Sequence, residues 1–195
     1  MKKMIVYVMS VLLLLSVASV SFAEVDVHSF PKENPIFSLS LPDDWMVVSS
    51  MFPNSWREWT KDDVQGSGVV PFQASPDFTQ KGRLLITLFA FVPDVVADLS
   101  AAEQNAVELI SERVANFTPK SETWEKTTIN GIPFIFMEAT GEEKAREGVP
   151  VNVSAGFFNP EGTHVFLLLV TGSTEIMEKY KGAMQEILNN IKPET

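Results

Sequence analysis

Two predominantly apolar stretches, residues 84–92 and 165–170, constrain the fold of this 195-residue chain more than any other feature. Each has the length of a β-strand and is bordered by a turn signal, Pro93 with Asp94 after the first and 159–162 before the second. Because side chains alternate between the two faces of a strand, a strand that is apolar throughout must be covered on both faces. The sequence therefore predicts a sheet with two central strands and a covering layer on each side.

Shorter patterns predict the strands around these two. Alternation or a hairpin signal indicates strands at 36–41, 45–49, 56–61, 124–129, 132–139 and 149–157. Asn130 and Gly131 separate two of them, and both residues tolerate the positive φ that a type I′ hairpin turn requires. The short connections among the last four strands predict antiparallel pairing.

A first helix is predicted between the early and the late strands. Ser100 and Glu103 form a capping-box pattern at its start, and Pro119 marks its end. Its apolar residues recur at the spacing of one helix face: Val107, Ile110, Val114 and Phe117.

A second helix is predicted at the end of the chain, beginning near Ser173 or Thr174 and ending before Pro193. Its apolar stripe consists of Ile176, Tyr180, Met184, Ile187 and Ile191. With the strands, the two helices predict an α+β fold in which an antiparallel sheet is flanked by helices on both faces, an α/β/α sandwich.

The N-terminal segment has the pattern of an export signal. Lys2 and Lys3 precede a long apolar run, and Ser21 and Ala23 supply the small residues expected before a signal-peptidase cut. We therefore expect cleavage after Ala23 and a location in the bacterial periplasm or outside the cell. An uncleaved membrane anchor is the alternative, because residues 4–23 are long enough to span a bilayer.

The rest of the chain is predicted to be a polar leader at 24–35 followed by a single domain at 36–195. The chain contains no cysteine, which excludes disulfides, thiol chemistry and lipid attachment at a cysteine. The formal net charge is −10 with no basic cluster, so nucleic acids and anionic membrane surfaces are poor partners.

Residues 37–45 read Phe-Ser-Leu-Ser-Leu-Pro-Asp-Asp-Trp, and a later hairpin reads Asn-Gly-Ile-Pro at 130–133. These motifs, together with the order of strands and the closing amphipathic helix, resemble the PsbP/Mog-type fold, which includes DcrB-like bacterial envelope proteins. The resemblance extends over residues 36–192.

The resemblance implies a fold and a type of function. Members of this group resemble non-catalytic partner-binding or assembly factors, among them an extrinsic subunit of the photosynthetic oxygen-evolving complex and a binding factor for a small GTPase. No partner-binding residue of either protein corresponds to a residue of this chain.

Catalytic and metal-binding patterns are weak. His28 and His164 are the two histidines, and a hydrolase that uses His164 or a pair of carboxylates is the least favoured hypothesis. Acidic pairs occur at 43–44, 62–63 and 142–143, but neighbouring residues in a strand point to opposite faces, so we predict neither a metal site nor a cofactor.

An aromatic segment interrupted by Gly and Pro, residues 51–82, is the predicted binding region, because loops on a rigid scaffold often carry binding sites. The candidate contact residues are Phe52, Trp56, Arg57, Trp59, Phe72 and Phe78. The alternative is that some of these aromatic side chains cover the core, as we expect of Trp45, whereas the role of Trp124 is open.

The sequence leaves three functional hypotheses open. The first is a non-enzymatic envelope protein that binds another protein as an accessory or assembly factor. The second is a small-molecule or lipid carrier with an aromatic-lined pocket beside the 51–82 segment. The third is the hydrolase.

Overall fold

The computed structural model describes residues 25–31, 33–49, 58–60, 62–63, 68–144 and 148–194. The strands are β1 (Val25–Phe30), β2 (Phe37–Pro42), β3 (Met46–Ser49), β4 (Gly68–Ser75), β5 (Leu85–Phe91), β6 (Val114–Pro119), β7 (Glu125–Ile129), β8 (Ile132–Glu143), β9 (Pro150–Phe158), β10 (Phe166–Gly172) and β11 (Lys192–Pro193). The helices are α1 (Leu99–Ser111), α2 (Thr174–Lys179) and α3 (Lys181–Asn189). None of the helices in these ranges is long and apolar enough to cross a membrane.

The strands form two antiparallel sheets. The large sheet has the order β3-β4-β5-β10-β9-β8-β6, and β7 pairs with β8. Its two central strands, β5 and β10, are the two continuous apolar stretches of the sequence, and Leu168 of β10 lies opposite Leu88 of β5. The prediction of an antiparallel α+β fold with these strands at its centre is confirmed.

A small sheet of order β1-β2-β11 differs from the prediction. Residues 25–30, predicted to belong to a polar leader, form β1 and pair with all of β2, from Val25 opposite Pro42 to Phe30 opposite Phe37. The local pattern of Val-Asp-Val-His-Ser-Phe is a strand alternation, and the pairing with β2 gives its backbone groups their hydrogen-bond partners. Residues 25–30 are therefore part of the fold.

The large sheet is buried on both faces, but different elements cover them. We call the side that carries Phe166 and Leu168 the closed face, and the side that carries Leu167 and Leu169 the open face. The closed face packs against the small sheet and against buried residues of α2 and α3. The open face packs against α1. An α/β/α sandwich requires helices on both faces of the sheet. Here a second sheet provides much of the closed-face layer, so helices alone do not flank the large sheet.

A chain of aromatic rings joins the two sheets across the closed face. The ring of Phe37 in β2 lies 4.8 Å from that of Phe166 and 5.1 Å from that of Phe158. Phe30 lies 5.3 Å from Phe37 and 5.4 Å from Phe72. Edge-to-face and stacked contacts at these distances stabilise a core beyond the area they bury.

Helix α1 begins and ends at other residues than predicted. Its cap is Asp98, whose carboxylate accepts a hydrogen bond from the amide of Ala101 at 2.8 Å, and the expected cap Ser100 lies inside the helix. The helix ends at Ser111, and Val114 opens β6 instead of completing the helical stripe. Val107, predicted to face the core, is 53% exposed. The buried face of α1 consists of Ala102, Ala106, Leu109 and Ile110.

The last helix is divided into two short ones at Tyr180. Ser173 caps the first, as predicted, by accepting a hydrogen bond from the amide of Ile176. The ring of Tyr180 packs edge-on against Trp45, which is buried as expected.

The predicted hairpin at Asn130 and Gly131 is confirmed, with φ of 50° and 84°. Asn130 has a second role that its turn preference does not reveal. Its side-chain amide donates to the carbonyl oxygens of Asn189 and Ile191, each at 2.7 Å, and so ties the end of α3 to the large sheet.

Candidate functional site: a cleft beside a sheet edge

Helix α1 contacts β6, β8 and β9, and beyond its C-terminal end the open face carries a cleft of about 350 Å³. The floor of the cleft is the sheet itself. Leu85, Phe89 and Leu169 supply apolar surface, and Gln73, Thr87 and Thr171 supply polar groups. Gln73 donates to the hydroxyl of Thr87 at 3.3 Å, which orients both side chains.

A buried ion pair forms one wall of this cleft. Nη2 of Arg83 lies 3.0 Å from Oε1 of Glu143, and the two side chains are only 13% and 11% exposed. Arg83 also donates from Nη1 to the carbonyl oxygen of Phe78 at 3.2 Å. Its Nε is buried without a hydrogen-bond partner, and Oε1 of Glu143 accepts no well-aligned hydrogen bond. The pair is therefore fixed in place but incompletely satisfied.

Two further cations lie at the cleft. The guanidinium carbon of Arg113, just after the end of α1, lies 5.0 Å from the centre of the Phe89 ring, and Nη1 lies 3.3 Å from Oε2 of Glu112. Lys144 follows β8, is exposed, and makes no ion pair with any residue that the structure describes. Among the residues that the structure describes, the cleft thus has three cations and two carboxylates, in a chain whose net charge is −10.

An exposed apolar strand edge adjoins the cleft. β3 is the terminal strand of the large sheet, and its side chains Met46 and Val48 are 44% and 57% exposed. Val48 pairs with Gln73, and Met46 pairs with Ser75. Since directly paired residues point to the same side of a sheet, Val48 lies on the open face, next to the Gln73 side of the cleft.

The structure places the predicted contact residues in different surroundings. Phe52, Trp56 and Arg57 lie outside the described residues. Trp59 is half-buried and packs against the closed-face core. Phe72 is fully buried there, 5.2 Å from the ring of His28, so it supplies no contact surface and instead fills the core.

Phe78, among the predicted contact residues that the structure describes, is linked to the cleft through its contacts with Arg83. Its ring is half-buried, with the guanidinium carbon of Arg83 at 6.0 Å from its centre, and its carbonyl oxygen accepts from the same group. Its role is to position Arg83. Trp124, whose role the sequence left open, packs edge-on against Phe157 on the open-face core.

The surroundings of His164 differ from those of a catalytic histidine. The side chain is buried in the turn before β10, and Nδ1 lies 2.7 Å from Oε1 of Glu161 and 2.9 Å from the hydroxyl of Thr163. In a catalytic triad the carboxylate and the nucleophile bind opposite ring nitrogens. Here the Glu161 carboxylate and the Thr163 hydroxyl both lie at Nδ1, which differs from the arrangement of a triad.

The acidic pairs form separate turns or ion pairs. Asp63 accepts hydrogen bonds from the backbone amide and hydroxyl of Thr60, and these bonds lower the pKa of its carboxyl below the usual value. Glu143 is paired with Arg83. Across the described ranges, no group of three or more His, Asp or Glu side chains is placed to hold a metal ion.

Sequence reasoning missed the cleft because its charged residues come from distant parts of the chain: Arg83 before β5, Arg113 after α1 and Glu143 at the end of β8. A signal was nevertheless present. Thr87 and Thr171 interrupt the two apolar central strands, and both point to the open face at the cleft. A polar residue inside an otherwise apolar strand indicates a place where the covering layer ends.

No family model and no curated protein matches this chain. Among solved structures, the chain is similar to cyanobacterial PsbP (CyanoP) from Synechocystis sp. PCC 6803, with 12% identity, a TM-score of 0.53, and coverage of 92% of this chain and 98% of that one. It is also similar to LpqN, described as involved in cell envelope biogenesis of Mycobacterium tuberculosis, with 12% identity, a TM-score of 0.54, and coverage of 87% and 91%. The fold is therefore PsbP-like.

Proposed function

We propose that this chain is an exported, non-enzymatic accessory protein of the cell envelope that binds an extended segment of another protein along the edge of β3. The observation that carries the proposal is the apolar edge of this strand, which no other described strand covers. Met46 and Val48 are exposed, and the strand Met-Val-Val-Ser contains no charge and no proline. Exposed sheet edges are natural templates for an added strand, which makes main-chain hydrogen bonds with them.

The opposite end of the large sheet shows how this protein protects an edge. β6 ends in Pro119, and its pairing with β8 shifts between Ala115 and Thr118, around Asn116 with φ of 52°. Proline, bulges and charges are the devices that prevent edge-to-edge association. Their presence on β6 and absence from β3 indicate that the β3 edge is kept available.

The chemistry of the partner follows from the surface around β3. Asp43 and Asp44 are exposed in the turn before this strand. We expect a partner segment with alternating apolar residues, which pack on Met46 and Val48, and a Lys or Arg at the end that faces the two aspartates.

Three observations support the envelope location and the accessory role. The N-terminal sequence has the pattern of an export signal. A solved structure of similar fold belongs to a protein described as involved in cell envelope biogenesis. The hydrogen-bonding of His164 also favours a structural role over catalysis.

The test uses a photoreactive side chain at position 48, introduced into the full chain in its own host. We expect it to crosslink one envelope protein through an extended segment of the composition described above, and a synthetic peptide of that segment to bind the purified protein and slow amide exchange in β3. Replacing Met46 and Val48 together with lysine should weaken peptide binding at least tenfold.

Val107 provides the matched control, because it is also an exposed valine, 53% accessible, but lies on α1. Crosslinks of the same yield from positions 48 and 107 would contradict the assignment of the binding surface to β3. Unchanged peptide affinity in the double lysine variant would contradict it as well. Hydrolytic activity that disappears in a His164→Ala variant would contradict the non-enzymatic part of the proposal.

A further inference from the structure

We infer that the cleft on the open face is a binding site for a small monocarboxylate with an apolar body. This site differs from the β3 edge in its ligand and in its interactions. It binds a small molecule through side-chain charges, whereas the β3 edge binds a protein segment through main-chain hydrogen bonds. The two adjoin through Gln73, which pairs with Val48 in β3 and lines the cleft.

The size and walls of the cleft suit a small amphipathic molecule. Its volume of about 350 Å³ lies at the lower end of the range for ligand pockets. Leu85, Phe89 and Leu169 form an apolar floor, and the Arg83–Glu143 pair and Arg113 lie at the sides. A molecule in the cleft therefore lies beside apolar side chains and guanidinium groups at the same time.

The charges select an anion. Arg83 is paired with Glu143 and Arg113 with Glu112, so four of the five charges at the cleft are matched. Lys144 is the fifth, and no described carboxylate lies within ion-pair distance of it. One excess positive charge among the described residues at the cleft complements one carboxylate.

Arg83 adds a hydrogen-bonding reason. Its Nε is buried without a partner, although a guanidinium has five N–H donors in a fork that matches a carboxylate. Phe78 holds one side of the group through Nη1, and Glu143 lies at Nη2. A ligand carboxylate that reaches Nε would satisfy this remaining donor.

The experiment titrates the protein, expressed in full and purified from the envelope, with 3-phenylpropanoate, and follows backbone amide shifts by NMR. The neutral 3-phenylpropanamide and the cationic phenethylammonium have the same ring and serve as matched probes. We expect saturable shifts around Thr87, Arg113 and Lys144 with the carboxylate, and binding at least tenfold weaker for the amide, because hydrogen bonds to charged groups are the stronger ones.

Lys144→Gln, at an exposed cation, should weaken carboxylate binding several-fold without lowering the melting temperature. Arg113→Gln, at a cation that is 35% exposed and contacts Phe89 and Glu112, should weaken binding several-fold with a small loss of stability. Lys181→Gln is the control, since Lys181 is an exposed lysine at the start of α3, which packs on the closed face and not on the face that carries the cleft.

Three outcomes would overturn the inference. The first is the absence of saturable shifts up to roughly 10 mM carboxylate. The second is equal binding of carboxylate and amide, which would make the site merely apolar. The third is preferential binding of phenethylammonium, which would mean that Glu112 and Glu143 dominate the cleft. None of these outcomes bears on the β3 edge, which the crosslinking experiment tests separately.

Discussion

The two faces of the large sheet are covered in different ways. The closed face has a second sheet, two short helices and a chain of phenylalanine rings against it, and its core includes Phe37, Phe166 and Leu168. The open face has one helix, and where that helix stops the floor changes from apolar residues to Thr87, Thr171 and Gln73. The closed face is a continuous core, whereas part of the open face is a surface with charges.

This difference in coverage separates the residues that we expect to stabilise the fold from those that we propose to bind ligands. A complete apolar layer stabilises a fold and leaves no room for a ligand. A partial layer leaves polar and charged groups at the edge of a rigid sheet, which holds them in fixed positions for binding. We therefore expect substitutions on the closed face to change stability, and substitutions at β3 or at the cleft rim to change binding.

The largest effect is expected for Phe37→Ala on the closed face. Phe37 is completely buried and contacts the rings of Phe30, Phe158 and Phe166. Truncation of a buried Phe leaves a cavity and lowers the free energy of unfolding by about 3–5 kcal/mol. Urea denaturation followed by tryptophan fluorescence measures this change.

Val48→Ala, on β3, is the comparison for this substitution. Val48 is 57% exposed, so the free energy of unfolding should change by less than about 0.5 kcal/mol. A similar loss of stability in the two variants would remove the distinction between the faces.

A second large effect is expected inside the cleft, for Arg83→Met. The substitution leaves Glu143 almost buried without its cation, and breaking a buried ion pair costs about 3–5 kcal/mol when it is fully desolvated. About a tenth of each side chain remains exposed, so we expect a loss of roughly 2–3 kcal/mol at pH 7.

The double variant Arg83→Met with Glu143→Leu provides the control for this prediction. It removes both charges, and we expect it to recover most of the lost stability. An Arg83→Met variant as stable as the wild type would mean that water solvates the Arg83–Glu143 pair. The open face would then be less buried at this point than the structure indicates.

How much of this fold the sequence predicts depends on where the deciding interaction lies. β5, β8, β9 and β10 were predictable because their own residues show the strand pattern. The end of α1 was not, because Val114 continues the helical spacing, and only its pairing with Glu143 of β8 makes it part of a strand. β4 was missed because its register with β5 shifts between Val69 and Phe72, at Pro71, which breaks the alternation.

The candidate site was less predictable than the fold. The aromatic residues of the 51–82 segment were predicted as contact residues because large aromatic side chains often form interfaces. Phe72 is instead buried in the core, and the carbonyl oxygen of Phe78 accepts a hydrogen bond from Arg83. The charges that line the cleft are ordinary surface residues in the sequence. Only the pairing of β5 with β10 and the end of α1 bring Arg83, Arg113 and Thr171 to one place.

An intermediate effect is expected for Asn130→Asp, which acts on the attachment of α3 to the closed face. The Asn130 amide donates to two carbonyl oxygens at 2.7 Å, whereas a carboxylate has no donor and would face both oxygens with negative charge. The loss of two hydrogen bonds lowers the free energy of unfolding by about 2 kcal/mol.

Asn130→Gly separates the two roles of this residue. Glycine accepts the positive φ of the turn but also lacks the donor, so it should cost about 1–2 kcal/mol without the repulsion. If the glycine variant were as stable as the wild type, the side-chain bonds to α3 would contribute nothing, and only the turn would matter.

The smallest effect is expected from the titration of His28, at the rim of the closed face. Burial against Phe72 lowers the pKa of this imidazole below its ordinary value of 6.5, and the nearby Asp26 carboxylate only partly opposes the shift. Between 6.5 and the lowered pKa, the unfolded chain binds the proton more readily than the folded protein. The contribution of His28 to the free energy of unfolding is therefore fully present above pH 6.5 and declines as the pH falls through this window.

The free energy of unfolding at pH 7.5 and 5.5, measured for the wild type and for His28→Gln, isolates this contribution. The wild type should lose more stability than the variant. An equal loss would show that His28 is as well solvated in the folded protein as in the unfolded chain, and the closed face would then be open to water at β1.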